Sequence, residues 1–386
     1  MAPIKVFHVL ASDTLGGGAD EHTLLLCRDQ ERLGLRVGLV AVQGPILEEV
    51  HATYGWPVFP FGRKLTGRNV RDLAEVFHTE APDVVHTHKP LADLVGCKAA
   101  RQAGVPAIVS TIHVRLNSER ALRGRRRWKI IPLRLVRSSV LRRIPQWLVA
   151  VSEATRRDAL ERLRLPPDRI VTVHNGTDVE RYRRLKGFDR AALRRELVCP
   201  PQAKLIGVIA RVVQVKGHHT LLAALPAILH AEPQAHVVFV GKTDDRDYVG
   251  RLREQARQLG IEDRVHLIGL RRDVPEVLNA LDLFVLPSSV EGLSRAVLEA
   301  LACETPVLAT DTDGNRELLE DGQNARLVEP GDSRALAQRA VEMLGDKALC
   351  DRLAAAGRRT VVERFNAMDA ARAQVRLYEE MLGNRA

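Results

Sequence analysis

Short apolar runs of β type alternate with amphipathic stretches of helical period, and the series occurs twice along the chain. Ile4 to Leu10 runs into a glycine turn, Gly16-Gly17-Gly18; a helical pattern from Ala19 ends at Leu33 near Gly34, and a second apolar run covers Val37 to Val42. Asp83 to His86, Ala107 to Ser110 and Trp147 to Val151 continue the series. The pattern weakens between about Arg181 and Lys204, a charged stretch holding Pro200-Pro201, and restarts at Leu205. From there strands at 205–210, 235–241, 265–268, 283–286 and 306–310 alternate with helical segments that begin near Gly217. A βαβα order is satisfied by parallel strands with helices on both faces, a doubly wound α/β sheet. Length agrees, because 386 residues exceed what one core supports. The expected organisation is a first domain over 1–185, a linker over 186–204, a second domain over 205–365 and a terminal helix over 366–386 packing back on the first domain.

No apolar run reaches the roughly 18 to 20 residues that span a bilayer. The opening MAPIKVFHVLAS reads as a buried first strand rather than a signal peptide. Five scattered cysteines, none at metal-ligand spacing, suit reduced thiols and a cytoplasmic location. Net charge is +10, and eleven basic residues stand against one acid, Glu119, between Arg115 and Arg143. Such a balance favours phosphorylated ligands, nucleic acid or anionic membranes. Aromatic content of 4% gives no stacking set for nucleic acid.

Several motifs fall at expected strand ends. Gly17-Gly18-Ala19-Asp20-Glu21-His22 follows the first strand. It lacks the dinucleotide fingerprint, and its glycines suit either close approach of a ligand or a flexible turn. Asp83-Val-Val-His86-Thr-His88 and Ser110-Thr-Ile-His113 each deliver histidine to one sheet edge, where imidazole can orient hydroxyls or phosphate. His86 also suits a histidine satisfied within the strand. Arg211 and Lys216, with Gly217 after them, suit a pyrophosphate, against the alternative of solvated surface charge. Asp245-Arg-Asp247 and Asp311-Thr-Asp313 have no supporting histidine, and no metal is expected there.

Glu291 and Glu299 bracket seven residues in SSVEGLSRAVLEALACETPV, after the apolar run at Leu281 to Leu286. Eight steps of helix turn about 800°, which leaves two side chains some 80° apart. This geometry argues against one shared face, so Glu291 is expected in the loop and Glu299 in the first turns of the helix. A strand, a loop with a carboxylate and a helix N-terminus together hold a sugar or a nucleotide phosphate.

In this order the motifs resemble the retaining glycosyltransferases of the GT-B fold, family 4: GGAxxxH, HxH, TxH, Asn175-Gly176-Thr177-Asp178, Arg211 to Gly217, then the spaced glutamates. The likeness runs over nearly the whole chain. It implies two Rossmann-like domains facing a central cleft. It also implies a metal-independent enzyme with no cofactor, using a UDP- or GDP-linked sugar as co-substrate. By the same likeness His113, Glu291, Arg211 and Lys216 are catalytic, Arg211 and Lys216 neutralising the pyrophosphate. Gly17, Gly18, Lys242, Gly292, Leu293, Ser294, Arg295 and Glu299 bind the donor, Glu299 at the ribose and Glu291 at sugar hydroxyls. His22, His88 and Asn175 bind the acceptor; Asn315 and Glu317 lie near the site. The chain departs from the family's EGFGLVLLEA at Ser294 and Arg295, and Glu304 stands where glycine is common.

The implied acceptor is a glycolipid, or a lipopolysaccharide or polysaccharide precursor. Ile130, Leu133, Val136, Val140 and Ile144 recur at three- or four-residue spacing among arginines. This is the pattern of a basic helix lying on anionic lipid, with residues 115–144 as the docking segment on the inner face of a membrane. The alternative packs the stripe on the domain and solvates only the arginines. Two rival functions share the architecture: a nucleotide-sugar 2-epimerase, which needs no acceptor, and a non-catalytic membrane-binding scaffold.

Overall fold

The computed structural model describes residues 2–15, 18–113, 116, 127–197 and 199–383. Two compact units divide the chain: Met1–Asn175 with Ala367–Ala386, and Gly176–Asn366.

Among the described residues of unit 1, seven parallel strands form one sheet in the order β3-β2-β1-β4-β5-β6-β7. They are β1 (Lys5–Leu10), β2 (Arg36–Val42), β3 (Val58–Phe61), β4 (Val84–His88), β5 (Ala107–Ile112), β6 (Trp147–Ala150) and β7 (Ile170–Thr172). Between them run α1 (Gly18–Arg32), α2 (Pro45–Tyr54), α3 (Gly67–Glu80), α4 (Pro90–Gln102), α5 (Arg127–Arg143) and α6 (Glu153–Leu163). The central strands β1, β4 and β5 are buried nearly throughout, as a parallel sheet covered on both faces requires. One face packs Val6, Leu10, Leu24 and Cys27 with Leu377, Tyr378 and Met381; the other packs Phe7, Val9, Leu73 and Phe77 with Leu94 and Val140.

Among its described residues unit 2 repeats the plan with six parallel strands in the order β10-β9-β8-β11-β12-β13. These are β8 (Leu205–Ile209), β9 (His236–Val240), β10 (Val265–Gly269), β11 (Leu283–Leu286), β12 (Val307–Thr310) and β13 (Arg326–Val328). Its helices are α7 (Arg190–Glu196), α8 (His218–Ala231), α9 (Arg246–Gln258), α10 (Val274–Ala280), α11 (Arg295–Ala302), α12 (Ser333–Gly345) and α13 (Lys347–Arg364). The last helix, α14 (Ala367–Gly383), belongs to unit 1. There the Tyr378 hydroxyl meets His86 Nδ1 at 2.6 Å and accepts from Gln30 Nε2 at 3.2 Å.

Two expectations change. The division falls at Asn175/Gly176, and residues 186–204 are not a linker but part of unit 2. Arg190 and Arg194 of α7 donate to the carbonyl of Ala280 and pair with Asp282, so their charge is turned inward. The stripe in the basic segment is not one exposed face either. Val140, Leu141 and Ile144 are buried, and Arg137 pairs with the fully buried Asp93 at 2.8 Å. Leu135 and Val136 stay exposed. Residues 115 and 117–126 of that segment lie outside the described residues.

Candidate functional site

In a doubly wound sheet the crevice for a ligand opens where the strand order reverses, at the C-terminal ends of the strands. Unit 2 reverses between β8 and β11, and the strongest sequence motifs follow those two strands.

The chain leaves β8 through Arg211 and closes a tight turn at Gln214–Lys216 before Gly217 starts α8. Gly217 has φ 71°, and a Cβ there would sit 1.9 Å from the Pro287 carbonyl oxygen. Only glycine lets the β8 loop lie on the β11 loop this closely. Ser289 N donates to Val215 O at 2.9 Å and joins the loops. Across that junction Lys216 Nζ donates to Glu291 Oε1 at 2.6 Å, the lysine half-buried and the carboxylate buried. Arg211 is exposed on the same loop. Val212 N donates to Lys242 O at 2.9 Å, which sets the half-buried Lys242, after β9, beside it.

Glu291 lies in the loop and Glu299 within α11, the arrangement expected from the sequence. Ser294 is the N-cap, its Oγ accepting from Val297 N at 3.4 Å. Leu293 and Ser294 are buried, and Gly292 is half-buried. Glu299 is buried and pairs with Arg295 Nε at 3.1 Å. The Tyr182 phenol also hydrogen-bonds Glu299, and burial first, then that charge, pushes its pKa up. Past β12, a Cβ on Gly314 would sit 2.3 Å from Gly292 O, so this loop also presses on the Glu291 loop. Asn315 is buried with Nδ2 donating to Thr310 O at 2.8 Å, while its Oδ1 and the Ser288 Oγ are buried without a partner. Buried polar groups without partners are uncommon and fit a ligand's hydroxyl or amide. Ser288, in the loop after β11, is singled out by none of the sequence motifs. Cations, the N-terminal end of α11 and buried carboxylates together suit an anion joined to a polyhydroxylated group.

Unit 1 reverses between β1 and β4, where the glycine turn and His88 lie. Gly17 lies outside the described residues, and Gly18 begins α1. Lys89, at φ 78° before α4, donates to Ser12 Oγ at 2.6 Å and pairs with Asp20, a knot the sequence did not announce. His113, half-buried after β5, has Nε2 3.1 Å from His88 Nδ1, and the buried His22 stands edge-on to it at 6.0 Å between centroids. Desolvation lowers the pKa of His88 and His113 well below the usual value. His88 is fully buried, so it meets His113 rather than a surface ligand. Asn175 ends unit 1 buried, with Oδ1 unpartnered. His8, His86 and His88 place three ligand nitrogens within 4.8 Å, and each ring already makes hydrogen bonds. Of the paired aspartates, Asp245 caps α9 and Asp311 binds Arg316 at 2.6 Å.

Family models match both units: glycosyltransferase family 4 over residues 16–181 and glycosyl transferases group 1 over residues 189–360. The chain is 32% identical over 311 residues to a D-inositol 3-phosphate glycosyltransferase of Xylanimonas cellulosilytica, covering 77% of this chain and 72% of that protein. It is 32% identical over 198 residues to the lipopolysaccharide core biosynthesis glycosyltransferase LpsE of Rhizobium meliloti, about half of each chain at 51% and 54%. The crystal structure of Anabaena HepE in complex with UDP and glucose superposes with a TM-score of 0.86 at 24% identity, over 98% of this chain and all of that one. The two Rossmann-like units have the GT-B fold, and the chain belongs to the group 1 glycosyl transferases.

Proposed function

We propose a retaining, metal-independent glycosyltransferase that moves a hexosyl or N-acetylhexosaminyl group from a UDP- or GDP-linked sugar to a membrane-associated glycolipid or a lipopolysaccharide or polysaccharide precursor. The observation that carries this reading is the Lys216–Glu291 contact at the switch point of unit 2, on the loop that also bears Arg211. In this reading Lys216 and Arg211 neutralise the charge that grows on the nucleoside diphosphate as the bond from the anomeric carbon to the phosphate oxygen breaks. Glu291 accepts from a sugar hydroxyl, and Glu299 from the ribose. The acceptor oxygen bonds the anomeric carbon on the same face, and its proton passes to the leaving phosphate. His113 holds a hydroxyl near the reacting carbon. The named activity of LpsE and the UDP and glucose bound to HepE support the donor and acceptor classes.

Lys216→Ala or Arg211→Ala is expected to lower turnover by roughly tenfold to a hundredfold, about 1.4 to 2.7 kcal/mol of barrier. A thermal-shift screen over UDP-, GDP- and ADP-sugars finds the donor first. Turnover within twofold of the parent in both variants removes the phosphate role.

Peripheral membrane attachment on the cytoplasmic side belongs to the same reading. Leu135 and Val136 are exposed on α5 with Arg142 and Arg143 at its end. Among the described residues no helix is long and apolar enough to cross a membrane. Flotation with anionic but not neutral liposomes is expected, since each basic residue near an anionic surface contributes about 1 kcal/mol. Failure to float with either dismisses the surface.

A further inference from the structure

Unit 1 holds a continuous line of hydrogen bonds inside its sheet. Gln30 Oε1 lies 2.8 Å from His8 Nε2, His8 Nδ1 lies 3.0 Å from His88 Nε2, and His88 Nδ1 lies 3.1 Å from His113 Nε2. The topology makes the line. The strands β1, β4 and β5 are neighbours, so His8, His88 and His113 step across the sheet on the side that α1 and α14 supply with Gln30 and Tyr378. Gln30, His8 and His88 are fully buried.

A neutral imidazole carries one proton, so one of its nitrogens donates and the other accepts. Desolvation brings the pKa of His8 down to about 4 and lowers those of His88 and His113, which keeps all three neutral near pH 7. A line of neutral imidazoles has a direction, and the proton at one end sets every other. Gln30 stands at that end. Its amide nitrogen donates to the Tyr378 hydroxyl at 3.2 Å. That hydroxyl lies 2.6 Å from His86 Nδ1, and His86 Nε2 lies 2.7 Å from Thr111 Oγ1. In the structure the amide oxygen faces His8 Nε2 at 2.8 Å, and a carbonyl oxygen can only accept. His8 then carries its proton on Nε2, its Nδ1 accepts from His88 Nε2, and His88 Nδ1 accepts from His113 Nε2.

We infer that Gln30, through His8 and His88, is a positioning residue that fixes His113 as the Nε2–H tautomer, so that His113 presents Nδ1 as a hydrogen-bond acceptor to a hydroxyl of the sugar or the acceptor. Turning the Gln30 amide over would reverse every bond in the line and present an N–H instead. The inference rests on the proposed place of His113 in the transferase reaction, but the tautomer itself does not.

The test is nitrogen NMR of the full chain labelled with ¹⁵N-histidine, the His113 signals assigned by their loss in His113→Asn. A protonated Nε2 and an unprotonated Nδ1 are expected. A protonated Nδ1, or averaged shifts at both nitrogens, overturns the inference in the parent protein, with no variant needed. Gln30→Glu keeps an acceptor against His8 and is expected to keep the tautomer. Gln30→Leu removes the acceptor and is expected to give a mixture, with kcat lowered about tenfold and the donor KM within twofold. A Gln30→Leu protein that retains the single tautomer, or loses it with unchanged kcat, overturns the positioning role. If the parent protein transfers no sugar, the proposed function fails while the NMR measurement still decides the relay.

Discussion

Glu304 is held at φ 55°, in the left-handed region, where α11 ends and the chain turns into β12. A residue with a Cβ strains there by about 1 to 2 kcal/mol, and glycine recovers that at an entropic cost of about 0.5 to 1 kcal/mol. The side chain returns little, because its nearest partner is the exposed Arg184 at 3.8 Å. Glu304→Gly is therefore expected to stabilise unit 2 by roughly 0.5 to 1 kcal/mol, read as a higher urea midpoint at unchanged slope. A lower midpoint would mean that Glu304 makes a contact worth more than its strain. Residues of this kind were partly legible. The departure from glycine at 304 was visible in the sequence, whereas the need for glycine at 217 was not, because it comes from the approach of the Pro287 carbonyl. The pairing of Lys216 with Glu291 was not, because it joins positions 75 apart. Nor could a sequence show that Ser288 and Asn315 keep unpartnered oxygens, since that depends on what the fold fails to place opposite them.

At the scale of elements, most strands announced themselves through apolar runs, while β7 and β13, at three residues each, are too short to carry a period and β3 is interrupted by Pro60. The misread linker has a chemical cause. Charge and prolines mark the stretch as irregular in sequence, yet Arg190 and Arg194 spend their guanidinium protons on carbonyls and on Asp282. The same inversion occurs in α5. Asp93 is fully buried on α4 and accepts from Thr87 at 2.9 Å, Ser110 at 2.7 Å and Arg137 at 2.8 Å. These bonds staple the C-terminal half of α5 to the sheet, which leaves Leu135, Val136 and the exposed arginines as its free part. Arg137→Ala strands a buried carboxylate and is expected to cost about 3 to 5 kcal/mol. Asp93→Asn combined with Arg137→Met, which removes both charges, should recover much of it. If Arg137→Ala costs less than 1 kcal/mol by urea denaturation, α5 is not held by this pair.

Over the whole molecule, the doubled βαβα pattern was legible because each unit repeats a parallel sheet around its own reversal of strand order. The path of the chain was less so: it runs from β1 to β7 in unit 1, builds unit 2 and then returns with α14. That return supplies Leu377, Tyr378 and Met381 to a core otherwise made by residues below 174. Tyr378 is fully buried, and its hydroxyl links Gln30 to His86. Tyr378→Ala removes a large side chain from a packed site and is expected to destabilise unit 1 by about 3 to 5 kcal/mol. The buried apolar cluster that packs Ile206, Val208, Val237, Phe239, Leu283 and Val285 in unit 2 contains no residue of α14. Hydrogen exchange should therefore show lost protection in β1, β2 and β4, with β8, β9 and β11 unchanged. Tyr378→Phe keeps the ring and loses only the hydroxyl, so it separates packing from the hydrogen-bonded line: most of the stability should return while the His113 tautomer becomes mixed. Equal loss of protection in both units after Tyr378→Ala would show that the two sheets unfold as one body, and the returning helix would then be no more a part of unit 1 than of unit 2.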